Sequence, residues 1–229
     1  MTQQSTFDTA GPSLTENPWR WLLLMGTPVL LGALFLIHPD GSSGLESLLP
    51  VAQTWLILHI VLLPVLGLLG MSLYVLLDDF QGPVATVGKL GVAIYMTFYI
   101  PFEAIAGVTT GILTREAATL PSAQQEGITA AIDALQMPSI LMGFVGTFGA
   151  VIAVISIGIL LRRANAPLVP VLCLGGAPLA TLFHGGTPID AFSIGIFLVG
   201  ILWLEFRWRQ DRDETPPEKS PQNRSIEQS

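Results

Sequence analysis

Six stretches of the chain are each apolar enough to sit in a lipid bilayer, and this limits the fold more than any other feature. Crossing a hydrocarbon core of ~30 Å takes about 20 residues of α-helix. In lipid, only helices and closed barrels satisfy their own backbone hydrogen bonds. The stretches cover residues 19–37, 51–77, 84–113, 138–161, 167–183 and 188–206. The expected fold class is an all-α integral membrane protein, a bundle of six transmembrane helices over residues 18–209. Residues 1–17 and 210–229 are expected to be disordered ends, the second being rich in Pro, Glu, Gln and Ser.

Composition agrees. Charged residues make up 12% of the chain and hydrophobic ones 51%, where a soluble domain carries about 25% charged residues. The net charge of −7 comes mostly from the tails and loops and says nothing of partners, while the absence of a basic patch argues against a nucleic-acid partner. Cys173 is the single cysteine, so no intrachain disulfide or thiolate cluster can form, and it reads as a small apolar filler. The first 17 residues are polar and carry Asp8 and Glu16, so the first apolar stretch is expected to stay as an anchor.

Local signals refine the spans. Asn17 suits a helix N-cap and Pro18 the first helical position. Pro138 is expected to open the fourth span. The fifth is short and broken by Pro170, Pro178 and Gly175–Gly176, so a kinked or re-entrant segment is the alternative there. Between spans three and four, Ser122 and Gln125 have capping-box spacing, followed by an apolar stripe of Ile128, Ala131, Ile132 and Leu135. That pattern predicts a short amphipathic helix on the outer surface. Gly107 with Gly111, and Gly143 with Gly146 and Gly149, predict close helix packing.

With six spans and an inside N-terminus, all the lysines and arginines except Arg115 fall inside. The positive-inside rule then predicts a multi-pass protein of the cell membrane with both termini cytoplasmic. Trp19, Trp21, Trp55, Trp203 and Trp208 fall near span ends, as interfacial aromatics do. Lys89 and Glu205 lie near inner span ends and are expected to anchor there.

Charges at membrane depth are costly and mark functional or packed positions. His59 lies eight residues into span two and Glu103 ten residues from the end of span three, roughly 12 and 15 Å deep from the outer face. The two spans run in opposite directions, so a helical hairpin could join the side chains. Pro64 and Pro101 free backbone carbonyls nearby. Such a pair fits a proton or ion site, and equally a structural hydrogen bond between the spans. His38, His184 and Asp190 are also assigned to the outer side and would serve a metal ion there, alone or with His59 and Glu103. The sequence requires no cofactor.

No nucleophile elbow, zincin motif, P-loop or dinucleotide fingerprint occurs. The expected function is therefore a small transporter or channel-like protein for a proton, ion or small solute, centred on His59 and Glu103; the alternatives are a structural or accessory subunit and a metal- or cofactor-binding membrane redox protein. The expected partners are the bilayer and either a second copy or a membrane complex.

Overall fold

The structure is a computed structural model and describes residues 18–41, 44–185 and 188–209. The expectations for residues 1–17, including the Asn17 cap, and for the tail 210–229 lie outside the described residues. Among the described residues all regular structure is helical. Five helices are long and apolar enough to cross a membrane: α1 (Pro18–Leu36), α2 (Leu45–Asp78), α3 (Pro83–Ala117), α4 (Ser122–Arg163) and α7 (Pro188–Trp208). The stretch expected as span five forms two short helices, α5 (Leu168–Cys173) and α6 (Gly176–Leu182), joined by a turn at Leu174 and Gly175. The fifteen residues of 168–182 reach only ~22 Å as helix, short of the ~30 Å core.

The predicted surface helix is not a separate element. Ser122 does start a helix, but that helix runs unbroken through Pro138 for 42 residues, ~63 Å long. Proline removes the bond to the carbonyl four residues back, here that of Ala134, which is exposed and so open to another partner. Gln125 makes no capping box. Its amide donates to the carbonyls of Ala117 and Leu120, closing the α3–α4 turn from above.

Helices α3 and α4 pack antiparallel at backbone contact. A Cβ on Gly146 would stand 2.7 Å from the Tyr99 nitrogen, and one on Gly149 2.5 Å from the Tyr95 nitrogen. Only glycine permits this approach, which gives dispersion contact where no water drives association. The core beneath is filled by Leu62, Leu66, Leu69, Leu73, Tyr95, Tyr99 and Phe197, all with no exposure. The two buried tyrosine hydroxyls donate to the carbonyls of Leu66 and Thr181, so neither is left unpaired.

One end of the bundle is tied by ions. Near the start of α1, the Arg20 guanidinium pairs with Glu205 at 2.8 Å and Asp79 at 2.9 Å. Arg209 joins the same carboxylates, reaching Glu205 at 3.0 Å and also pairing with Asp79. Glu205 is therefore not the interfacial anchor its position suggests, but is buried inside this network. Lys89 does reach outward, to Asp78 at 2.9 Å.

Candidate metal centre

At the opposite end, the chain's three histidines come together. Each offers one ring nitrogen, and these three atoms lie within 4.8 Å of one another. His59 stands on α2. His38 follows the C-terminal end of α1, and His184 lies between α6 and α7. Glu103 comes from α3, at the first residue of a π-helical stretch, Glu103–Thr109, directly after Pro101 and Phe102. A π turn rotates the following side chains away from their α-helical positions and recurs at functional sites. The Glu103 carboxylate lies 3.4 Å from His184 Nε2 and 3.9 Å from His59 Nε2.

The ring tautomers follow from their partners. His59 Nδ1 lies 2.8 Å from the Trp55 carbonyl, and His38 Nδ1 lies 2.8 Å from the Pro39 carbonyl. A carbonyl oxygen only accepts, so each Nδ1 carries a hydrogen and donates it. In the neutral rings each Nε2 then presents a lone pair, and the two Nε2 atoms face one another at 3.2 Å. Two lone pairs at that separation repel unless a cation or a proton lies between them. An Nδ1–H donated to a backbone carbonyl is also how metal-bound imidazoles are oriented.

Burial holds the imidazole of His38 below the usual histidine pKa, and that of His184 well below it. Both are therefore neutral at pH 7, the form that binds metal. His184 has no hydrogen-bond partner on either ring nitrogen, and Glu103 Oε1 has none either. Buried polar atoms rarely remain so without a ligand or another role. Phe35 packs edge-on against His184, with ring centroids 5.2 Å apart.

Neighbours hold the set in place. Trp55 stacks on His59 at 4.3 Å and donates Nε1–H to the Gly107 carbonyl at 3.0 Å. Trp55, which the sequence places near a span end, is buried against His59. Gly107 gives the imidazole its space, since a Cβ there would stand 2.0 Å from His59 Cδ2. The sequence signals Gly107 as a packing residue but not what it packs against.

His59 and Glu103 come within 3.9 Å of one another without a hydrogen bond, and His38 and His184 lie beside them. Asp190 is engaged in its own helix: it is buried in the first turn of α7, where Oδ1 accepts the Ala191 N–H at 2.7 Å. The site thus offers three imidazoles and one carboxylate, a donor set suited to a first-row transition metal. No protein-family model, curated protein or solved structure matches the chain.

Proposed function

We propose that this is a six-span membrane protein of the cell membrane that holds a transition-metal ion between His38, His59, His184 and Glu103 near its outer face. The observation that carries the reading is the pair of Nε2 lone pairs facing at 3.2 Å, each fixed by an Nδ1–H bond to a carbonyl. A cation there turns a repulsion into two bonds.

The span count is supported by the ion network. Arg20 begins α1, Asp79 follows α2 and Glu205 lies in the last turns of α7, yet all three meet. A chain that starts and finishes its spans at one end crosses an even number of times. Helices α5 and α6 together supply the sixth, short crossing. The excess of arginine and lysine at that end then makes it cytoplasmic.

Holding the ion is favoured over moving it. Directly below the cluster the core closes with Leu62, Leu66, Tyr95 and Tyr99, none of them exposed. A transport route through the bundle would need polar, wettable surface there. The test is elemental analysis of the full chain purified in detergent after incubation with zinc, copper or cobalt salts and desalting. About one tightly held ion per chain is expected. Protein that retains none of the three would sink the proposal.

A second expectation arises from Gly107. Gly107→Ala places a methyl group inside the His59 ring, so the ring must turn away from the other donors. Metal affinity is expected to fall about 10- to 100-fold, as when a residue that orients a ligand is lost. Equilibrium competition against a colorimetric chelator reads it directly. Unchanged affinity would mean that His59 does not bind the ion in the position seen.

A further inference from the structure

We infer that the ion is tetrahedral zinc(II), closed off by four protein donors, and that it staples the outer end of the bundle. This rests on the metal-binding reading above and adds the identity and role of the ion. Donor spacing is the ground for it. Ligands around a tetrahedral ion at the Zn–N distance of ~2.0–2.1 Å are about 3.3–3.4 Å apart. Around an octahedral ion at similar distances, neighbouring ligands are closer, roughly 2.9 Å apart. The Nε2 atoms of His38 and His59 are 3.2 Å apart, and His184 Nε2 lies 3.4 Å from a Glu103 oxygen. Two opposite edges of a tetrahedron are therefore already set, each at close to the length zinc requires. Other separations are wider: His59 Nε2 lies 3.9 Å from the other oxygen of Glu103, and the three histidine nitrogens lie within 4.8 Å of one another. Closing them takes side-chain shifts on the order of 1 Å to reach zinc bond lengths.

Donor chemistry selects in the same direction. No thiolate or thioether belongs to the set, which disfavours copper(I). Copper(II) prefers a tetragonal arrangement, whereas zinc(II) has no electronic preference and accepts the tetrahedron it is given. Four protein donors leave no position for a water molecule, the feature that separates structural zinc from catalytic zinc. The four come from the end of α1, from α2, from α3 and from the α6–α7 connection, so one ion joins four chain segments. His38 and His184 lie outside the long helices, after α1 and between α6 and α7. Zinc would set their positions as a disulfide does elsewhere, in a chain whose single cysteine cannot form one.

Cobalt(II) is the probe, because its visible spectrum reports coordination geometry. The full chain in detergent is loaded with cobalt(II), and zinc(II) is then titrated in. The expected result is the intense blue-green absorption of four-coordinate cobalt, lost in proportion to the zinc added, since zinc binds such donors more tightly. Glu103→Gln should weaken cobalt binding by at least ~10-fold and change its bands, which a carboxylate outside the coordination shell would not do. Bound cobalt with the weak pink absorption of a six-coordinate ion would overturn the tetrahedral zinc assignment while leaving metal binding intact. So would cobalt that zinc does not displace. Failure to bind cobalt, zinc or copper at all would overturn both this inference and the reading beneath it.

Discussion

His59→Ala is expected to lower zinc affinity by more than ~100-fold, beyond the loss seen when only a ligand's supporting residue is removed. His59 carries the greatest share because it faces both His38 and Glu103 and stands on a helix that Trp55 and Gly107 brace. The effect is large enough to read as stability. An ion bound only by the folded protein and present at 100 times its Kd adds ~2.7 kcal/mol. At the same zinc concentration a 100-fold weaker variant keeps ~0.4 kcal/mol. Thermal unfolding in one detergent, with and without zinc, should therefore show a clear rise in Tm for the parent protein and almost none for His59→Ala. The zinc-free curves guard against trivial unfolding, since the variant must still give a cooperative transition. An equal zinc-induced rise in both proteins would show that the ion binds elsewhere. Separate His38→Ala and His184→Ala variants should each also weaken zinc binding and shrink the zinc-induced rise in Tm, by less than His59→Ala does, because each removes one of only four donors.

How much of this is legible in the sequence depends on how local the cause is. Apolar length and charge placement fix helices in lipid, so the long spans are visible as runs of residues. Counting along two helices joined by a short turn sets His59 and Glu103 at matching heights, and their side chains do come within 3.9 Å. What counting cannot give is rotation and path. His38 and His184 lie in connections whose course is set by how α1, α6 and α7 pack, so residue spacing leaves their convergence open. The same limit hides the ion network. Arg20 and Glu205 are 185 residues apart, and Glu205 alone looks like an interfacial anchor. Pro138 misleads in the opposite way. Proline costs a helix one bond and some strain, and where the freed carbonyl is exposed that cost does not end the helix. The fifth stretch is the weak one, as its composition predicts, because two prolines and a glycine pair interrupt it and leave two short helices.

Arg20→Met is expected to destabilise the protein by ~3–5 kcal/mol, the range for removing one partner of a buried ion pair. Arg20 is 5% exposed, and its two carboxylate partners are 12% and 1% exposed at their side chains. Without it, Asp79 and Glu205 both depend on Arg209, and two negative charges face one positive charge away from bulk water. The loss should therefore exceed what methionine packing returns. Removing a carboxylate as well should undo much of the damage: Arg20→Met with Glu205→Leu leaves Asp79 paired to Arg209 and no surplus charge. The double variant is expected to be more stable than Arg20→Met alone, a sign that simple loss of contacts cannot produce. Thermal or denaturant unfolding in a fixed detergent measures both. A single variant within ~1 kcal/mol of the parent would mean the four charges behave as a solvated surface cluster. The network and the histidine centre lie at opposite ends of the bundle and share no side chain, so their effects should add. Zinc should raise the Tm of Arg20→Met as much as that of the parent. A reduced rise would instead show that the charge network sets the alignment of α1 and α7 on which His38 and His184 depend.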